Sequence, residues 1–221
     1  MASRESTSSA PLLSGPHTQS RRSLRRRWTS DRGAVAPWPF ALAAAGFAAV
    51  VISHLLDFGL DDLHNQLFDA DLGSSWSHIL VAATLIAATG LALLGAVRDD
   101  ARRGLWSIAT AILAFLAVDE VTPLHTKVDD MSWGKALYAP ILAALGVCLW
   151  RLSARSPQRL VVRTGIVTLV ISFAIHVFGP HVLSAIGLGA STWAYQIKVA
   201  LKEGTELAGW LLVLAGLWRL V

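Results

Sequence analysis

The sequence predicts an all-α fold: an integral membrane bundle of six transmembrane helices with both termini cytoplasmic. Three observations carry this expectation. Of 221 residues, 54% are apolar and 15% charged, whereas soluble domains carry roughly 25% charged residues; the mean hydropathy is +0.52. Six apolar runs approach the roughly 20 residues needed to cross a bilayer. Arginine is confined to alternate connections between those runs.

Residues 1–33 stand apart. They are rich in Ser, Pro and Arg, lack hydrophobic periodicity and contain SRRSLRRRW. This composition predicts a disordered basic cytoplasmic tail, with residues 34–221 forming the membrane domain. SRRSLR resembles a twin-arginine export signal. The apolar segment after it is long enough to span, however, and no small-residue cleavage site follows, so a retained segment is expected. Aromatics do not interleave with the arginines apart from Trp28. The tail is therefore expected to meet anionic lipid headgroups and not nucleic acid.

The six runs cover residues 36–56, 76–97, 104–122, 134–151, 160–179 and 195–218. The third and fourth are short or interrupted, and the sixth carries charge. Trp38, Trp76, Trp106, Trp133, Trp150, Trp193 and Trp218 fall near their ends, where interfacial indoles belong. The connections leave no room for a separate soluble domain. The single cysteine, Cys148, excludes an intrachain disulfide and argues against a thiol metal cluster. No glycine-loop signature for nucleotides is present.

Charge sign orients the bundle. Fifteen of the 19 basic residues, every one an Arg, precede the first run or follow the second, fourth and sixth, or begin the fifth. The other four are Lys127, Lys135, Lys198 and Lys202, on the opposite side. The positive-inside rule then places both termini in the cytoplasm, with the cell membrane as the location. Frequent Ala and Arg fit a GC-rich bacterial genome.

That topology gathers the titratable residues. Of seven His, six (His54, His64, His78, His125, His176 and His181) fall toward the outer side. So do 11 of the 15 acids. Asp61, Asp62, Asp69, Asp71, Asp129 and Asp130 sit in connections and are expected to be solvated. The deeper set differs. His54 and Asp57 are three residues apart and share one helix face, with Ser53 beside them. Asp119 and Glu120 are about 100° apart around the third helix and so face different partners. Pro123 cannot donate to the Asp119 carbonyl, which predicts a kink there. On the sixth run Lys198, Lys202 and Glu206 form an i, i+4, i+8 row, and Glu203 precedes Glu206 by three. Glu206 lies on the order of 15 Å along that helix from Tyr195. An isolated charge at such depth costs about 2.5–3.5 kcal/mol, so it must face other helices, a cavity or a metal.

Two chemistries suit this inventory. In one, His54, Asp57, His176 and Glu203 bind a divalent metal, zinc or iron, with Asp119, Glu120 and Glu206 as catalytic carboxylates. In the other no metal is needed, and Glu206, Glu203 and Asp119 or Glu120 carry protons in a low-dielectric site. That would serve a lipid-transforming enzyme using acid catalysis, or a proton- or metal-ion-coupled carrier. No internal repeat of the kind many transporters show is present, and six helices are few for alternating access without a homo-oligomer. The bland alternative is polar helix–helix contact alone. His78, His125, His181, Lys198 and Lys202 complete the candidate set.

LAVDEVTPLH and LKEGTELAGW are similar to segments of bacterial multipass proteins of unassigned function, in which an Asp-Glu pair precedes a His and a Glu-x-x-Glu opens the last helix. That resemblance implies one site shared by Asp119, Glu120, His125, Glu203 and Glu206. More loosely, the Ser, Asp and His inventory resembles the alkaline ceramidase and adiponectin-receptor group of membrane hydrolases, which implies a zinc site. The late HxxxH pair of that group is replaced here by His176 and His181, five apart with a Gly-Pro between them. The substrate expected on either reading is lipid-like or a small molecule reaching the site from outside.

Overall fold

The computed structural model describes residues 36–60, 68, 75–122, 134–189 and 192–221. Within them the chain is all-helical: α1 (Trp38–Gly59), α2 (Trp76–Arg98), α3 (Arg103–Val121), α4 (Gly134–Ser153), α5 (Arg159–Ala185) and α6 (Trp193–Leu220), with a 3₁₀ turn at Asp100–Arg102. Among the described residues, four segments are long and apolar enough to cross a membrane: Trp38–Gly59, Trp76–Arg98, Asp100–Val121 and Arg159–Ala185. The apolar part of α4, Tyr138–Ser153, is shorter. Helix α6 is the longest, with 28 residues, but Lys198, Lys202, Glu203 and Glu206 interrupt its apolar character. The predicted tail, His64, His125, Pro123, Trp133 and the acids of the 61–71 and 129–130 stretches lie outside the described residues.

The apolar surface is turned outward. Ile52, Ile79, Ile86, Leu93, Val118, Val167 and Val170 are exposed, while His54, Asp57, Asp119, Ser172 and Glu203 are buried. Water would penalise that inversion, and hydrocarbon favours it. It also explains how α6 tolerates its charges. The helix is central, packing on α1, α2 and α5, and it buries Val199, Glu203, Leu207, Trp210, Val213 and Leu217.

Small residues bring α6 close to its neighbours, as expected where lipid supplies no hydrophobic drive between helices. A Cβ on Gly209 would stand 2.7 Å from the Leu169 side chain, and one on Gly165 would stand 3.0 Å from the Gly209 carbonyl oxygen. The α5–α6 crossing depends on both hydrogens.

At the arginine-rich end, the α2–α3 turn is fixed by side chains. Asp99 accepts from the Arg102 guanidinium at 2.6 Å and from the Trp106 indole at 3.2 Å. Arg102 also donates to the Leu152 carbonyl at 2.9 Å, tying the end of α4 to the turn. Arg103 pairs with Asp100. Some desolvation pushes the Asp99 carboxyl up, but the Trp106 and Arg102 hydrogen bonds outweigh it and hold it below the usual carboxylate range.

Two expectations are corrected here. Trp106 is no interfacial anchor; it is 1% exposed, because Gly95 leaves space for its ring against α2 and Asp99 satisfies its N–H. Trp38, Trp150, Trp193 and Trp218 are exposed as expected. The fifth helix does not stop at residue 179. It continues through Pro180 to Ala185, since a proline inside a helix forfeits one hydrogen bond without ending the helix. The carbonyl left without a helical donor is that of His176.

Candidate functional site

Residues from α2, α3 and α6 meet at the end of the bundle opposite the arginines. His78 stands in the first turn of α2, and Glu120 in the last turn of α3. Because the two helices run antiparallel, these ends coincide, and His78 Nδ1 lies 2.5 Å from Glu120 Oε1. On its other side His78 Nε2 is 3.9 Å from Glu203 Oε1. Glu203 Oε1 accepts from Lys202 Nζ at 2.8 Å, and Lys202 Nζ also reaches Glu206 Oε2 at 2.8 Å. A continuous line thus runs Glu120–His78–Glu203–Lys202–Glu206, through side chains that are all little exposed.

The neighbouring acid looks elsewhere. Asp119, rotated about 100° from Glu120, accepts from the Tyr138 hydroxyl of α4 at 3.1 Å. The prediction of different partners for this pair matches the geometry. Ser172 of α5 donates to the Lys202 carbonyl at 3.0 Å.

These groups border a cavity of about 140 Å³, lined on its polar side by His78, Asp119, Glu120, His176, Lys202 and Glu206 and on its apolar side by residues such as Leu85, Leu116 and Trp210. A cavity near 150 Å³ can hold a benzene-sized group, so this one accommodates the reacting part of a molecule and not a whole lipid. One Lys faces four carboxylates in and around it, so the charge of the cluster depends on how many protons it holds.

The other predicted residues fall outside this cavity. His54 is buried on α1, its Nε2 2.9 Å from Gln196 Oε1 of α6. Asp57 is buried one turn further on. Ser53 donates to the Val50 carbonyl and accepts from the Trp76 indole at 3.2 Å. Lys198 turns away, its ammonium 4.2 Å from the Tyr195 ring centre and its stem against Gly179. His181 is exposed near the end of α5. His125 lies outside the described residues. The expectation of one shared chamber therefore resolves into a cavity cluster around His78 and a separate α1–α6 seam at His54.

That division bears on the metal. Among the described residues, no three His, Cys, Asp or Glu side chains converge as a metal site requires. The predicted ligands His54, Asp57, His176 and Glu203 are spread over the two regions, and Glu203 is engaged by Lys202.

A family model described as Domain of unknown function (DUF8692) matches residues 38–220. The chain belongs to that family. No curated protein and no solved structure matches it.

Every site residue named above, from Ser53 to Trp210, lies inside the DUF8692 match. Four of them are not site candidates on the sequence of this DUF8692 member alone: Tyr138, Ser172, Gln196 and Trp210. Trp210 carries a usable signal, because it extends the Lys198, Lys202, Glu206 row by one more turn. Tyr138 sits one turn into α4, at the level of Asp119. Ser172 and Gln196 carry no signal, since a lone Ser or Gln in a membrane helix is ordinary glue.

Proposed function

We propose that this protein is a six-span membrane enzyme that modifies a lipid-like substrate by general acid–base catalysis, without a metal. Its site lies in the extracytoplasmic half, and both termini are cytoplasmic. The observation that carries this reading is the little-exposed imidazole of His78, bracketed by two carboxylates at the wall of a cavity. With Glu120 accepting from Nδ1–H, Nε2 of His78 keeps its lone pair and can take a proton from a water or hydroxyl in the cavity. This is the orienting role a carboxylate plays for a catalytic histidine. The Lys202 ammonium, held between Glu203 and Glu206, supplies fixed positive charge where an oxyanion would develop. Hydrolysis of an ester or amide linkage matches these parts: Nε2 withdraws a proton from water as the water oxygen adds to the carbonyl carbon, and collapse of the adduct then breaks the bond from that carbon to the leaving oxygen or nitrogen, which takes the proton back from Nε2.

The metal-dependent form of the reading has less support, because the donors do not converge. The test is lipid turnover by purified protein in nanodiscs containing a total polar lipid extract of the expression host, followed by mass spectrometry. Turnover should disappear in both His78→Gln and Glu120→Gln. Turnover indifferent to both substitutions would reject the assignment. Proton flux into liposomes abolished by Glu206→Gln, with no lipid product, would make the protein a carrier instead. Folded variants with neither activity lost nor flux changed would leave only helix–helix contacts.

A further inference from the structure

The acid–base cavity has an apolar neighbour. Between α4 and α5 lies a second cavity of about 590 Å³, whose walls include Ala143, Gly146, Val147, Ile166 and Val170. Leu142, Leu169 and Phe173 line both spaces, so the two adjoin across three side chains. The groove ends at Trp150 and Arg151. From Ala139 to Arg151 it follows twelve residues of helix, about 18 Å. Its volume lies within the range of about 300–1,000 Å³ typical of ligand pockets.

The polar end of the groove is the acid–base cavity itself, whose lining includes His78, Glu120 and Trp210.

We infer that the site takes a bilayer lipid laterally between α4 and α5, with an oxygen-bearing linkage in the His78–Glu120–Trp210 cavity and one hydrocarbon chain along the groove. This names the substrate class for the enzyme proposed above and rests on that reading. A soluble metabolite would leave the groove without a role. A single acyl or prenyl chain meets both the apolar lining and the length.

The test uses the full chain in nanodiscs with a phosphatidylcholine that carries a photoactivatable diazirine midway along one acyl chain. Crosslinks are mapped by mass spectrometry. Labelling of α4 and α5 groove residues should exceed that of the lipid-facing Ile79, Ile86 and Leu93 on α2 by about tenfold. Gly146→Phe should remove that excess and leave α2 labelling unchanged. A Cβ at Gly146 meets only Ile166 Cγ2, at 3.6 Å, so the ring enters the groove without a backbone clash. Ala143→Phe provides the same block should Gly146→Phe fail to fold. Equal labelling of α2 and the groove, or an excess that both Phe variants leave intact, would overturn the inference. Glu120→Gln separates the two levels. A flat labelling pattern with turnover still lost in Glu120→Gln sinks the groove and spares the chemistry. Concentrated labelling with turnover indifferent to Glu120→Gln keeps the groove as a lipid site and sinks the chemistry.

Discussion

Replacing Lys202 with Met should destabilise the bundle more than any other single substitution in the cluster. Its ammonium lies 2.8 Å from Glu203 Oε1 and 2.8 Å from Glu206 Oε2. At an effective dielectric constant near 20, each contact supplies about 6 kcal/mol of gross attraction. Desolvation of the three groups takes back much of this. Removing the shared cation leaves two buried carboxylates facing each other, and breaking a buried pair in this way costs about 3–5 kcal/mol. Against a typical total of about 5–15 kcal/mol, that is a large fraction. The triple variant Lys202→Met, Glu203→Gln, Glu206→Gln should recover most of the loss, because neutral amides do not need the cation. Reversible unfolding in mixed micelles, read by helicity, gives the three free energies. Lys202→Met unfolding at the wild-type midpoint would refute the burial of this pair. A triple variant as unstable as Lys202→Met would show that the stem of Lys202 matters and its charge does not.

Other predictions follow from packing and titration. Gly216→Ala should cost about 1–3 kcal/mol of stability, since its Cβ would stand 2.4 Å from Val162 Cγ2, whereas Gly90→Ala meets nothing within 4 Å and should be neutral or stabilising by up to about 1 kcal/mol; equal effects in the same unfolding assay would contradict the close approach of α5 and α6. Asp99 has a folded pKa below its unfolded one, so its contribution is complete above about pH 4 and is lost as pH falls through the lower folded value. Asp99→Asn should flatten that acid limb of a melting-temperature profile, and an unchanged limb would exclude the turn as its source. Elemental analysis of the purified protein should find neither zinc nor iron in stoichiometric amount; a stoichiometric metal lost in both His54→Ala and Glu206→Ala would restore the metal reading.

Among the described residues, the positions of the helices were legible in the sequence because each depends on local composition. A run of about 20 apolar residues is a helix in hydrocarbon whatever its neighbours are. The end of the fifth helix was less legible, because a membrane helix can continue through a proline such as Pro180 when neighbouring groups satisfy the freed carbonyl. Partners were harder to see. The sequence placed Asp119, Glu120, Glu203 and Glu206 toward one side of the membrane, but that does not say which helices are adjacent. His78 is one of five residues that only complete the candidate set, and nothing local marks the helices it will face. It became the link between α3 and α6 because α2 packs against both, a fact of tertiary arrangement. His54 and Asp57 share a face as predicted, yet that face turns to Gln196 and not to the cavity.

The arrangement of α6 explains why the two polar regions are separate and still linked. Gln196 and Glu203 are seven residues apart, about 20° from alignment, so they occupy one face at different depths. That face meets α1 through His54 and α2 through His78. Lys202, Glu206 and Trp210 form a second row, directed at the cavity beside α4 and α5. A helix with two polar faces would be expelled from the core of a soluble protein, where water on one side is always available. In hydrocarbon it must be surrounded, and its glycines let α1 and α5 close around it. Lys202 joins the faces by reaching from its own row to Glu203 on the other. His78 is thereby joined to Glu206 by three contacts, with Glu203 and Lys202 between them.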